Sequence, residues 1–347
     1  MVHWSGYVHN TRQNTRTYAI GDQNRAQLTV YPKVPHGGYL GSILYRTTTT
    51  HFKTTQRSRF PSPPEPISFQ LSYLRRTAIG PAILKVQDVK IGSRVSTIHV
   101  TLLQAPDSAV PDKLEVKVVA YINASPPETE SGPSYEGAWG LEPKPAAGSG
   151  SGSGVPGDVD LAALARNQKD GNWRRLELPY PGMFALGNTE LYGPRPAAAA
   201  TPATVQSQAE QVVDQWARFT PHGKVARWSN EAVVFLLDVF PDALERLGAL
   251  EALRLKDEKV SSSGSDPQPG PFWYPTVSWS LDLKSRIPPQ GVEWLYSRVE
   301  TKMLRNSRAD LEVTMLDDKG GLVATSSQIA LVVDASRNTK SRKKGSL

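Results

Sequence analysis

The sequence predicts an α+β fold made of two tandem units, each a helix followed by about four antiparallel strands. Three observations carry that prediction. Each half of the 347-residue chain holds one helix-like stretch and then a series of segments in which apolar or β-branched residues alternate with polar ones. A Pro-, Gly- and Ser-rich stretch over 125–157, containing GSGSGSG, separates the halves. The length suits two domains or one duplicated fold better than a single small core.

In the first unit, Tyr18 to Ile122, the run His36-Gly37-Gly38-Tyr39-Leu40-Gly41 opens a helix that continues through Ile43, Leu44 and Tyr45. A turn rich in proline (Pro61, Pro63, Pro64, Pro66) follows. The expected strands are Ile67 to Arg75, Ala82 to Ile91, Ser93 to Leu103 and Lys113 to Tyr121. Residues Trp173 to Tyr192 carry aromatics and prolines and are expected to pack irregularly, and Pro194 to Thr204 is of low complexity. The second unit opens with a strand, Gln211 to Phe219. A helix over Ser229 to Leu247 comes next, with Ser229 as N-cap and Glu231 close behind it. After a polar loop over 256–270 come Trp273 to Leu283, Glu293 to Met303, Arg308 to Leu316 and Leu322 to Val333. The last two are joined by the turn signal Asp317-Asp318-Lys319-Gly320-Gly321. The expected division is a first domain over 1–124, a flexible linker over 125–170, a second domain over 171–336 and a basic tail over 337–347.

Composition narrows the chemistry. There is no cysteine, so disulfides, zinc–thiolate sites and cysteine nucleophiles are excluded. The first twenty residues lack the apolar core of a signal peptide, and no stretch approaches the roughly 20 apolar residues of a membrane span. A soluble, cytoplasmic protein is expected. Gly345-Ser346-Leu347 falls short of the S-K-L signal, which disfavours a peroxisomal address. The net charge of +7 resides partly in Arg337 to Lys344, which reads as a solvated tail. No zinc-finger spacing or RNA-binding aromatic motif accompanies it, so no nucleic-acid partner is expected.

A family resemblance sharpens this reading. The segment from Pro275 to Val333 resembles the last part of acyl-CoA thioesterase II. It has a strand opening with Thr276, the run Glu293-Trp294-Leu295-Tyr296, and a closing hairpin from Asp318 to Gln328. HGGYLGSIL resembles the family's Gly-Gly entry to its first helix, and Ser68 to Arg75 the strand after it. The resemblance covers about two-thirds of the chain. It implies a double hotdog, two antiparallel sheets each wrapped around a central helix and fused in one chain. It also implies hydrolysis of an acyl thioester in fatty-acid or lipid metabolism, with no metal or other cofactor. The Ser/Gly/Pro/Ala-rich insertions suggest a fungal relative.

The family places an Asp on the second helix, a Thr or Ser on the next strand and a Gln on the last strand. The matching positions here are Asp238, Thr276 and Gln328. Taken singly each has a plainer reading: a helix carboxylate is usually solvated, and a strand Thr or Gln is usually structural. Together they supply what thioester hydrolysis needs, a base for a water and two groups to orient it. Gly37 and Gly38 are expected to offer backbone N–H groups to the developing oxyanion. His36 reads first as a capping or surface residue, and Trp273, Tyr274, Trp279 and Trp294 read more as sheet core than as acyl pocket. Where the family has a second Asp and a His shortly after the Thr, this chain has Ser278 and Trp279. The competing readings are a hotdog protein that binds an acyl chain or a partner without cleaving it, and release of an acyl or polyketide thioester from a carrier protein. Association into a homo-oligomer is left open.

Overall fold

The computed structural model describes residues 9–11, 15–20, 29–31, 34–106, 114–135, 137, 139–145, 156–177, 185–195, 212–241, 243–244 and 272–334. The GSGSGSG run, the low-complexity stretch from Pro194 onward apart from its first two residues, the 256–270 loop and the basic tail lie outside them. The first half contributes β1 (His9–Thr11), β2 (Thr15–Ile20), the short pair β3 (Thr29–Tyr31) and β4 (Val34–Pro35), helix α1 (Gly37–Thr55), and then β5 (Glu65–Tyr73), β6 (Ala82–Lys90), β7 (Ser96–Gln104) and β8 (Glu115–Ser125). The second half contributes α2 (Leu161–Asn167), β9 (Trp173–Arg175), β10 (Thr189–Pro194), β11 (Val212–Phe219), α3 (Asn230–Leu236), β12 (Phe272–Trp273), β13 (Thr276–Leu283), β14 (Trp294–Glu300), β15 (Leu304–Arg305), β16 (Arg308–Leu316), β17 (Leu322–Leu331) and β18 (Val333–Asp334).

One 14-stranded sheet carries both halves, in the order β1-β2-β6-β7-β8-β5-β13-β17-β16-β14-β11-β10-β9, with β15 beside β16. The pairings are antiparallel throughout. The halves meet where β5 pairs with β13, with Gln70 opposite Ser280 at the centre of the register. Strand alternation sets the faces: on β7, Ile98, Val100 and Leu102 are buried while the residues between them are partly exposed.

Both helices pack on the inner face. In α1 the buried positions Leu40, Ile43, Leu44, Thr47, Thr48, His51 and Phe52 recur at helical spacing. Thr47 and Thr48 are tolerated inside because their hydroxyls donate back to the carbonyls of Ile43 and Leu44. In α3, residues Ala232 to Leu236 are all buried, the pattern of a helix enclosed on every side. The glycines of the α1 entry are required by this packing. A Cβ on Gly38 would stand 2.5 Å from the carbonyl oxygen of Phe235, and one on Gly41 would stand 2.7 Å from Val234 and 2.8 Å from Trp279. Neither glycine has a positive φ, so the need is for space between α1 and α3 rather than for a special backbone conformation.

Four expectations need correction. The second helix does not run from Ser229 to Leu247. Ser229 does cap α3, accepting from Ala232 N–H, but the helix stops at Leu236 and the chain turns at Leu237-Asp238. The last turn tightens, with Asp238 N–H donating to the carbonyl of Phe235 and Val239 N–H to that of Leu236, and Pro241 in turn keeps Phe240 out of the helical region. Helical backbone resumes at Pro241, Ala243 and Leu244. The stretch Trp173 to Tyr192 is not wholly irregular. β9 and β10 extend the main sheet beyond β11, and Trp173 is fully buried there, its indole N–H donating to the carbonyl of Gly157. Nor is 125–170 wholly a flexible linker. It contains α2, capped by Asp160, with Leu164 fully buried against Trp173 and Tyr192. Finally, β8 extends to Ser125, past the expected end at Tyr121.

Candidate active site

The two helices run antiparallel, so the start of α1 meets the end of α3. There the Asp238 Oδ2 accepts the Gly38 N–H at 2.7 Å. His36, the N-cap of α1, accepts the same N–H through Nδ1 at 3.1 Å and lies 3.5 Å from Asp238 Oδ2. The sheet brings the other two expected residues. Gln328 on β17 faces inward and is buried, opposite Trp279 of β13. Its Oε1 accepts from the Thr276 hydroxyl at 3.3 Å, and its Nε2 donates to the carbonyl of Leu237 at 3.2 Å, beside the Asp238 carboxyl. Asp238, Thr276 and Gln328 therefore converge, although they lie up to ninety positions apart along the chain.

Burial raises the pKa of the Asp238 carboxyl above its ordinary value, opposed by His36, the Gly38 N–H and the Gln328 amide. Burial lowers that of the His36 imidazole, opposed by the Asp238 carboxylate. A neutral ring suits the Gly38 contact, since Nδ1 must be unprotonated to accept it. Tyr73, at the end of β5, donates its hydroxyl to the carbonyl of Gly37 at 3.0 Å. Burial first, and the Asp238 charge second, hold that phenol well above its ordinary pKa, so it stays protonated.

A cavity of about 270 Å³ opens on this cluster. Gly37, Tyr73, Asp238 and Thr276 line its polar end, and Leu40, Phe240, Leu244, Trp273, Tyr274 and Leu311 its apolar wall; Arg75 and Arg76 also border it. The arrangement can seat an acyl group along the wall with its carbonyl near the carboxylate. Among the described residues no group of three or more His, Asp or Glu side chains could hold a metal ion.

The role expected for Gly38 changes. Its N–H is committed to Asp238 and His36, so it is not free to bind an oxyanion. Gly37 keeps its place beside the cavity, and a Cβ there would lie 2.7 Å from Asp238 Oδ2. The aromatic set divides: Trp279 and Trp294 are buried core, whereas Trp273 and Tyr274 face the cavity. His36 is the capping residue that the sequence suggested, though buried rather than at the surface, and sequence reasoning missed Tyr73. The available signal for Tyr73 was strand alternation, which puts it on the same face as the buried Phe69 and Leu71.

Residues 29–124 match the acyl-CoA thioesterase N-terminal domain, and residues 158–332 match the acyl-CoA thioesterase C-terminal domain. The chain is 30% identical to the thioesterase-like protein TwmA of Talaromyces wortmannii, over 90% of this chain and 87% of that one. A thioesterase II-type chain from Thermobifida fusca YX superposes with a TM-score of 0.60 at 17% identity, covering 94% of this chain and 96% of that one. The acyl-CoA thioesterase II TesB2 from Mycobacterium marinum gives 0.51 at 13% identity, covering 95% and 97%. At those identities the two structures speak for the double-hotdog fold alone. No helix among the described residues is long and apolar enough to cross a membrane. The sequence matches establish the rest: the chain belongs to the acyl-CoA thioesterase family and is a thioester hydrolase.

Proposed function

We propose that the protein hydrolyses an acyl thioester with a water held by Asp238, Thr276 and Gln328, the Asp238 carboxylate acting as general base. The observation that carries this reading is that Asp238 and Thr276 line one end of an apolar-walled cavity, with Gln328 hydrogen-bonded to Thr276 and to the Leu237 carbonyl just behind them. Oδ2 of Asp238 is occupied by the Gly38 N–H, which leaves Oδ1 for the water. The water oxygen bonds to the thioester carbonyl carbon as its proton passes to the carboxylate. The Thr276 hydroxyl and Gln328 amide supply the complementary donor and acceptor that fix the water's orientation. Collapse of the tetrahedral intermediate breaks the C–S bond, and the proton returns to sulfur, giving a thiol and a carboxylic acid. Gly37, at the N-terminus of the 19-residue α1, is the candidate donor to the developing oxyanion.

The base is the largest contributor in this scheme, and general-base catalysis is worth about 10²–10⁴-fold. Asp238→Asn is expected to lower thiol release from an acyl-CoA panel by at least about tenfold without unfolding the protein. Turnover like that of the wild type in this variant removes Asp238 from the mechanism. The same panel, run beside carrier-protein-bound acyl groups, identifies which thioester is the better substrate. Binding without thiol release in every case would favour a non-hydrolytic acyl-binding role.

A further inference from the structure

His36 lies 3.5 Å from the Asp238 carboxyl, and the family pattern read from the sequence gives it no role. Three features set it apart from an ordinary helix cap. It is 5% exposed. Its ring packs against Phe235 of α3 with centroids 5.3 Å apart, which fixes the edge it presents. That edge is Nδ1, directed at the same Gly38 N–H that Asp238 Oδ2 accepts. Two acceptors 3.5 Å apart share one donor, so a proton on Nδ1 or Oδ2 can be shared with the other.

We propose that His36 is a positioning residue acting through Asp238: with Gly38 it holds the Oδ2 edge so that Oδ1 faces the water, and as pH falls the imidazole takes the proton and keeps the carboxylate ionised. This rests on the reading of Asp238 as the base. The surroundings support it. Other charged or titratable groups at the cavity are Tyr73 from β5, which stays a protonated phenol, Tyr274 before β13, and Arg75 and Arg76 beyond Tyr73; β13 and β17 contribute the neutral Thr276 and Gln328. Burial moves the two proton affinities toward each other, upward for the carboxyl and downward for the ring, which is the condition for a coupled pair.

Two variants separate this from capping. Asn caps helices well and can accept the Gly38 N–H, but it takes no proton. His36→Asn should keep kcat within about threefold of the wild type at alkaline pH. The acid limb of its kcat/KM profile should move to higher pH by at least about half a unit, because the carboxylate loses the imidazolium that favours its charge. His36→Phe keeps a ring against Phe235 but loses the acceptor, so kcat should fall at least about tenfold at every pH while KM changes little. An unmoved acid limb in both variants overturns the proposal. A second measurement needs no turnover: in the ¹³C-histidine NMR titration the signal missing from His36→Asn is that of His36, and it should titrate at lower pH in Asp238→Asn than in the wild type. An identical titration overturns the pairing itself. Absence of hydrolysis with this shift intact would instead refute Asp238 as base.

Discussion

The duplication creates two equivalent helix junctions: a cavity opens on one, and hydrogen-bonded charged side chains occupy the other. Strands β2-β6-β7-β8-β5 of the first half repeat as β11-β14-β16-β17-β13 in the second, about the β5–β13 seam. Because α1 and α3 are antiparallel, the start of α3 meets the body of α1 just as the start of α1 meets Asp238. Tyr45 stands from its cap His36 as Asp238 stands from its cap Ser229, and Ile122 stands opposite Phe69 as Gln328 stands opposite Trp279. At the first junction these positions hold an acid and an amide beside a cavity. At the second they hold a phenol and a hydrocarbon, and charges fill the space. Glu65 Oε2 accepts from Tyr45 and from Arg286, each within 2.8 Å, and Arg286 also pairs with Glu130 and donates to the carbonyl of Ser125. Asn230 links Glu65 to the backbone N–H of Ile287. The comparison teaches that the fold supplies the junction twice, while the proposed reactivity rests on a few residues at one of the two equivalent places.

The largest expected effect comes from closing the open junction at its backbone. In Gly38→Ala the new methyl would stand 2.5 Å from the carbonyl oxygen of Phe235 and 2.9 Å from Asp238 Cβ, both of which are fixed. Hydrolysis should fall by at least about a hundredfold, since sub-ångström displacement of a catalytic group carries costs of that order. The equivalent position on α3 is Glu231, which pairs with Arg46, both half-buried, at the closed junction; Glu231→Ala should retain activity within about threefold. Thiol-release rates for the two variants, measured side by side, check the contrast, and equal losses would mean that the junctions are not functionally distinct.

Arg286→Met tests the closed junction. It leaves Glu65 without its guanidinium partner, and both side chains are roughly a quarter to a third exposed, so solvent screens the loss. A destabilisation of about 1–2 kcal/mol is expected in urea unfolding, less than the 3–5 kcal/mol of a fully buried pair. Activity of the folded enzyme should be unchanged. A large fall in kcat with no loss of stability would mean that the second junction contributes to turnover.

The architecture of both halves was legible because it depends on period-2 alternation and on capping residues, which are local. Strands β5, β6, β7, β13, β14, β16 and β17 fall within a few residues of their expected spans. Ser229 caps its helix as the sequence suggested. The family resemblance carried Asp238, Thr276 and Gln328, and their convergence required a register that no local pattern contains, Gln328 opposite Trp279 across the β13–β17 pair. What was illegible is what depends on contact between the halves. The commitment of the Gly38 N–H to a side chain 200 positions away is one case, and the placement of His36 against Asp238 is another. Strands β9 and β10, at the end of the sheet, were hidden for a different reason: they are short, and Pro and Gly sit in or beside them.

The smallest effect separates stability from function within the open junction itself. Asp238 has its carboxyl pKa raised by burial, so the folded state prefers the protonated form. Between the unfolded carboxyl pKa and the raised folded one, the native protein binds more protons than the unfolded chain, and its stability falls as pH rises through that window. Above the window the cost of keeping a buried charge is fully present, and this is also where the carboxylate is ionised, as the proposed mechanism requires of a base. Asp238→Asn keeps an acceptor for the Gly38 N–H while removing the charge. It should therefore match the wild type in acid and exceed it above the window by about 1 kcal/mol, the usual scale of a single helpful substitution. Urea midpoints across pH test this. The closed junction offers the control: Tyr45 stays protonated across the whole range because burial and Glu65 raise its pKa far above the ordinary value, so Tyr45→Phe should change stability by the same amount at every pH at which Glu65 is ionised. A pH-dependent difference for Tyr45→Phe but none for Asp238→Asn would reverse the assignment of which junction bears the strained charge.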